Sequence, residues 1–245
     1  VEEGSTNLIQ NSAFRTIDES AGTPVGIAVS VSDSSLLSED HSLEVFTDSS
    51  EPDEQVWALR VTAFAHGKSY RGTSEVTIEL DPVQATGETA YSFGCYIAKT
   101  EESGNTPYSR LEMEWLDGAG SALATSVHQI ELSSDIQWLS VRDTSATGSE
   151  LLRIRLVFGS FEGADRATFT LAVPQIEALP YSTTPIATGP TGEDSVREDD
   201  RFRVALHEHT DPLQGYISIT LAMMGLNSRL YDSSSMPSFR GTFTE

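Results

Sequence analysis

Two carboxylates on one strand face are the first residues with chemistry to consider. Leu111, Met113 and Trp115 alternate with Arg110, Glu112 and Glu114. A period of two puts both glutamates on the same side, about 7 Å apart by the rise of a strand. Glycoside hydrolysis uses such a pair, one carboxyl as proton donor and the other as base or nucleophile. The same pattern arises on any exposed strand of an acidic chain, and Arg110, Arg153 and Arg155 are available to pair with the glutamates across strands. No G-x-S-x-G elbow marks a serine nucleophile. The residues therefore predict a non-enzymatic chain.

Binding chemistry is the stronger reading. In the run Tyr91–Ala98, Tyr91, Phe93, Cys95 and Ile97 share one face and Tyr96 takes the other. Aromatic rings offer sugars a large contact area at low entropic cost. The candidate glycan-binding set is Tyr96, Tyr108, Arg110, Glu112 and Glu114, with Arg153 and Arg155 as polar neighbours on the same exposed face. Tyr108 and Tyr70 are expected in loops. Trp57 and Trp115 share faces with aliphatic residues and are assigned to the core. Against a dedicated sugar cleft stands an aromatic content of only 8%.

Metal chemistry is weakly supported. His207 and His209 point the same way on a strand, as two zinc ligands would, but no H-E-x-x-H and no cysteine accompany them. Asp48, Glu51, Asp53 and Glu54 are clustered carboxylates without EF-hand order or its central glycine. No metal and no cofactor are expected. Cys95 is the lone cysteine, so no intrachain disulfide forms, and its place among apolar neighbours predicts a buried, inert thiol.

Composition narrows the partners. The 245 residues carry 37 acidic and 15 basic side chains, a formal charge of -22. No lysine or arginine cluster could neutralise several phosphates, so neither nucleic acid nor an anionic membrane is an expected partner. No apolar run approaches the ~18 residues a membrane helix needs. The start shows no signal-peptide pattern, and a first residue of valine is read as a processed chain or a fragment.

Eight to ten strands must position these residues. Ile27–Val31, Trp57–Ala63, Val76–Leu80, Leu152–Phe158 and Ala167–Val173 all alternate, separated by Ser-, Asp- and Gly-rich turns. Residues 150–188 organise the rest: two alternating strands, a loop bounded by Gly159 and Gly163, and a Pro-rich exit. Asp81-Pro82 is expected to end a strand, Asp117–Gly120 to make a hairpin, and another strand to run near Ser126–Leu132. The predicted fold is an all-β antiparallel sandwich, a jelly roll, with a small C-terminal β appendage. Residues 1–5 form a lead, 6–184 the sandwich, 185–200 a Pro/Gly-rich linker, and 201–245 an attachment or oligomerisation segment.

Several strings carry a family resemblance over roughly residues 6–188. NLIQNSAF at 7–14, L-E-M-E-W-L-D-G-A-G at 111–120, the Trp138 strand and the exit PQIEALPYSTTPIAT resemble carbohydrate-binding-module-like jelly rolls. Such domains occur in bacteriophage tail and virion proteins and in secreted glycosidases, and the exit looks more like the phage versions. The resemblance implies that NLIQNSAF opens the sandwich as a strand and that Trp138 packs beneath the sheet. Relatives place a calcium-binding glutamate after the phenylalanine; Arg15 follows Phe14 here, so that ligand is missing. The implied function is a non-enzymatic virion structural protein, a tail-fibre, tail-tip or capsid-decoration component on the particle surface. It would assemble with other virion proteins and with itself, and its jelly roll would adhere to host glycan. The alternative is a carbohydrate-binding module of a secreted polysaccharide-degrading enzyme.

Overall fold

A computed structural model describes residues 5–34, 37–47, 55–65, 74–103, 108–161, 166–189 and 196–197. Among these, every regular element is a strand. In chain order they are β1 (Ser5–Thr6), β2 (Ile17–Asp18), β3 (Thr23–Pro24), β4 (Ile27–Val31), β5 (Leu37–Thr47), β6 (Val56–Ala65) and β7 (Ser74–Gln84). There follow β8 (Ala90–Ser103), β9 (Tyr108–Leu116), β10 (Ala122–Ile130), β11 (Gln137–Thr144), β12 (Leu151–Phe161), β13 (Arg166–Glu177) and β14 (Val196–Arg197). Two five-stranded antiparallel sheets form the body, one in the order β10-β9-β12-β7-β4 and the other β11-β8-β13-β6-β5. We call them the first and second sheet. The protein is an antiparallel β-sandwich of the jelly-roll kind, as its alternating strands predict.

The apolar residue of each alternating pair faces inward. Leu59, Val61, Ile78, Phe93, Leu111, Trp115, Ile154 and Phe169 are among the side chains removed from water between the sheets. Phe158 and Phe169 stack across the gap with ring centroids 3.9 Å apart. Trp115 belongs to this core, and Trp57 is half-buried against it. Cys95 is fully buried there, and desolvation pushes its thiol well above the usual range.

β12 and β13 are the middle strands of the two sheets. They are not hairpin partners, as the alternating pair with its glycine-bounded loop implied; the chain crosses between sheets after Phe161. The reason lies in burial: β13 is covered on both faces, and only a sandwich centre covered from outside offers that.

Three boundaries differ from the sequence expectation. β7 continues through Pro82 to Gln84, because the proline stands where the register against β12 slips between Leu152 and Ile154, and a bulge tolerates the missing donor. The strand expected near Ser126–Leu132 starts earlier, at Ala122, directly after the Asp117 turn, whose carboxylate accepts from the Ala119 and Ser121 amides. Tyr108 opens β9 and is not in a loop.

Residues 7–14 are not a strand but an irregular segment clasped to the exit. Asn7 is its pivot. Its amide donates to the carbonyls of Pro174 and Ile186 and to Ser12 Oγ, and its Oδ1 accepts from the Ile9 and Ile176 amides. Thr188 Oγ1 donates to the Ile9 carbonyl at 2.7 Å and accepts from the Ser12 amide. Thr188 is fully buried and Ile186 nearly so. Residues 185–189, expected as the start of a linker, are thus part of the sandwich, because their backbone groups find partners in the first turn. The Arg15 side chain donates to the Gln55 carbonyl at 3.0 Å.

The same clasp spans an irregularity in β13. Val173 has φ +47°, a left-handed conformation that β-branched residues rarely adopt, and the register shifts between Ala172 and Gln175. Facing alternation reverses there. Val173, read from sequence as core-facing, packs outside the second sheet with Ala13, Val56, Ala58 and Ala172. Ile176 enters the main core instead. Gln175 and Glu177 are fully buried beneath the exit, where Gln175 accepts from the Ile186 amide and Glu177 accepts from the Thr183 amide and hydroxyl. The C-terminal β appendage of 201–245, and most of residues 190–200, lie outside the described residues.

Candidate functional site

The five residues expected to form one glycan-binding set fall on opposite sides of the sandwich. Tyr96 projects from the outer face of the second sheet, and Tyr108, Arg110, Glu112 and Glu114 from that of the first. Alternation told which residues face outward, but not which sheet each strand joins. Arg153 and Arg155 also belong to the first sheet and are not neighbours of Tyr96.

On the first sheet the charged residues satisfy one another. Arg110 donates from Nη1 to Glu75 Oε1 at 2.8 Å and to the Tyr108 hydroxyl at 2.6 Å, and from Nε to Glu112 Oε1 at 2.7 Å. The Tyr108 hydroxyl in turn donates to Glu75. Arg155 reaches Glu79, Glu112 and Glu114, and Arg153 meets Glu114 at 3.3 Å. Burial alone would raise the Glu75 carboxyl; hydrogen bonds from Arg110 and Tyr108, with the Arg110 charge, outweigh it and hold the group below the usual carboxylate range. Burial and the facing Glu75 push the Tyr108 phenol up. The Tyr108 ring lies across Gly159, where a Cβ would stand 3.0 Å from Cζ and from the hydroxyl. Glu112 and Glu114, the pair weighed for glycosidase chemistry, are thus engaged by guanidiniums.

The outer face of the second sheet carries a different arrangement, a row of three half-buried aromatic rings. Tyr96 on β8 meets Trp138 on β11 edge-on, with centroids 5.0 Å apart, and Phe46 on β5 at 5.2 Å. The row crosses from one edge strand to the other. Its floor is made of small residues. Tyr96 pairs in register with Ala172 and Ala172 with Ala58, so along this row the two strands between Tyr96 and Phe46 contribute nothing larger than a methyl group. Trp138 lies over Gly94, where a Cβ would come within 2.3 Å of its ring. Phe46 occupies the bulge between Val45 and Thr47, a device that re-aims a side chain.

The clasp completes the site. Ala13 and Ala187 pack on the small-residue cluster beside Phe46 and Tyr96. The exit also touches β11, where Ser182 Oγ lies 2.9 Å from Ser140 Oγ, two residues from Trp138. On the β5 side an ion pair between Arg60 and Glu44 flanks the row. Trp138, expected beneath the sheet, is outside it because Leu139 and Val141 take the inward positions of β11. Sequence reasoning missed Phe46 and Trp138. Both had an available signal in parity, Trp138 opposite to Leu139 and Val141 and Phe46 opposite to Leu43; what the sequence lacked was the strand order that brings them to Tyr96.

A groove of about 580 Å³ lies between the first turn and the end of β7, lined by Leu8, Asn11, Val25, Asp81 and Pro82 among others. Among the described residues no three His, Cys, Asp or Glu side chains gather as metal ligands. His207, His209, Tyr70 and the acidic loop of Asp48–Glu54 lie outside the described residues.

No protein-family model matches the chain, and no curated protein matches its sequence. Solved structures do resemble it. The enzymatically active domain of bacteriophage CBA120 tailspike protein 4 aligns over 70% of this chain at 12% identity and a TM-score of 0.46; the alignment spans 21% of that chain. TmCBM61, solved in complex with β-1,4-galactotriose, aligns over 69% of this chain and 97% of its own, at 11% identity and a TM-score of 0.40. A cyclase from Fischerella sp. TAU aligns over 74% of this chain and 100% of its own, at 16% identity and a TM-score of 0.46. The neighbours thus comprise carbohydrate-binding modules, a tailspike domain and other enzymes, and at these scores neither ligand nor activity transfers from them to this chain.

Proposed function

We propose that this protein is a non-enzymatic glycan-recognition module, carried on the surface of a bacteriophage virion as part of a structural protein. The observation that carries glycan recognition is the Phe46–Tyr96–Trp138 row. Three rings over a floor of Gly94, Ala58 and Ala172 offer the apolar faces of a sugar chain a surface at low entropic cost. Arg60, Glu44, Ser140 and Ser182 border the row with groups able to bond sugar hydroxyls. Non-enzymatic binding is supported by the engagement of Glu112 and Glu114 with arginines. The virion setting is supported by the phage-like exit sequence PQIEALPYSTTPIAT. Its partners in that reading are host-surface glycan and other virion proteins.

Glycan-array binding of the full chain tests recognition. Trp138→Ala and Tyr96→Ala are expected to abolish binding, and Tyr108→Ala, on the opposite sheet, to leave it intact. A blank array with the folded protein overturns the glycan reading. Immunogold labelling of phage particles tests the setting; label confined to culture fluid with a polysaccharide-degrading enzyme would favour the secreted-module alternative.

A further inference from the structure

We infer that the glycan held on the Phe46–Tyr96–Trp138 row is an acidic one, and that Arg142 binds its carboxylate. The inference rests on the glycan reading of that row. On β11 the side chains of Leu139 and Val141 pack on the core, so Trp138, Ser140 and Arg142 share the outer face. Trp138 and Arg142 stand about 13 Å apart by the rise of a strand. Ser140 lies between them, its Oγ 2.9 Å from Ser182 Oγ of the exit. One edge of the second sheet thus offers, in order, a ring, a pair of hydroxyls and a guanidinium.

Arg142 is exposed, and its guanidinium makes no hydrogen bond or ion pair with any described residue. That sets it apart in a chain with 37 acidic and 15 basic side chains. Arg15 meets the Gln55 carbonyl, Arg60 meets Glu44, and Arg110, Arg153 and Arg155 meet the carboxylates of the first sheet. The acids beside Arg142 in sequence and in register are already engaged. Glu177 stands beyond Ser92 in the same register row, but it is fully buried beneath the exit and accepts from the Thr183 amide and hydroxyl. Asp143 takes the opposite face of β11, and its Oδ1 accepts from the Thr144 amide.

A guanidinium presents two parallel N–H donors that fit a carboxylate bidentately, a match that a neutral hydroxyl does not offer. Arg142 has this fork available without first breaking an internal ion pair. The formal charge of -22 opposes any anion at a distance. Exposed charges are screened beyond about 8 Å at physiological salt, however, so a pair in direct contact decides. An acidic glycan is therefore preferred over its neutral form only through a cation that touches it. A sugar chain lying along β11 would stack on Trp138, bond Ser140 and Ser182, and place a carboxylate on Arg142.

An array of neutral glycans, uronic-acid oligosaccharides and the methyl esters of those acids tests this on the full chain. Each acid that binds is expected to bind about ten-fold tighter than its uncharged ester. Arg142→Gln is expected to remove that preference. Arg142→Lys is expected to keep part of it, since an ammonium carries the charge without the fork. Trp138→Ala is expected to abolish binding of acid and ester alike, and thermal melts confirm that the variants are folded. Esters bound as tightly as acids, or a preference that survives Arg142→Gln, overturn the inference and leave the glycan reading of the row standing. Binding confined to neutral glycans does the same. A wholly blank array with the folded protein overturns both.

Discussion

Trp138 lies directly over Gly94. A Cβ on that glycine would stand 2.3 Å from the tryptophan ring, closer than any two carbons approach without bonding. The two residues are not register partners: Ser140 stands opposite Gly94 and Trp138 opposite Tyr96, so the ring reaches along β11 onto the one bare position of β8. That fit holds the end of the aromatic row flat against the sheet.

Gly94→Ala should therefore lift Trp138 off the sheet. We expect a destabilisation of about 1–2 kcal/mol, the cost of overpacking a site whose neighbour can partly yield. Tryptophan emission should shift to the red and glycan binding should fall. Fluorescence and thermal unfolding on the same sample check it. Unchanged emission would mean that the ring is not seated there.

Asn7→Ala should be far more costly than a near-surface substitution. The Asn7 side chain is bonded to Ile9, Ser12, Pro174, Ile176 and Ile186, and the residue is almost wholly buried. Truncation leaves several buried backbone groups unpaired, and a loss of about 3 kcal/mol is expected. Urea unfolding measures it. Asn11→Ala, at a part-buried site with fewer partners, should cost less.

Arg155→Met should leave the Glu79, Glu112 and Glu114 carboxylates under-compensated. Both Glu112 and Glu114 side chains are nearly nine-tenths buried, so the expected loss is about 2 kcal/mol. Adding Glu114→Gln to the variant should restore part of it. A double-mutant cycle from chemical denaturation reads the coupling, and strictly additive losses would show that the ladder is not a unit.

The first sheet should also weaken in acid. The Glu75 carboxyl is held below its unfolded value, so its contribution is fully present above the unfolded value and is lost as pH falls through the folded one. Stability followed from neutral pH into the acid range should decline less in Glu75→Gln than in the parent. Equal slopes would count against the Arg110–Glu75 pairing.

Cys95 should be inert in the native state. Its thiol is fully buried and burial raises it, so little reactive thiolate forms near neutrality. A thiol reagent should label it only after denaturant unfolds the sandwich, at the midpoint seen by circular dichroism. Prompt labelling of the native protein would contradict the buried placement.

The amino-acid sequence by itself determined the strands, their inward faces and hence the fold class. Alternation with period two is a local property, and Leu111, Met113, Trp115, Phe93 and Leu156 declare their side of the chain without reference to any partner. It also marked the two segments that close the molecule, 7–14 and 174–188, as distinctive strings, although their meaning as a clasp was not legible, because the hydrogen bonds of Asn7 and Thr188 join residues more than 160 positions apart. Only the tertiary structure decided which exposed residues share a surface. Tyr96 and Tyr108 both point outward, yet they belong to different sheets, since strand order depends on long-range pairing. Only the fold brought Phe46 and Trp138 to Tyr96, through a bulge in one strand and a bare glycine in another. Only the fold, too, reversed the facing of β13 at Val173, where a one-residue irregularity moves every later side chain to the opposite face.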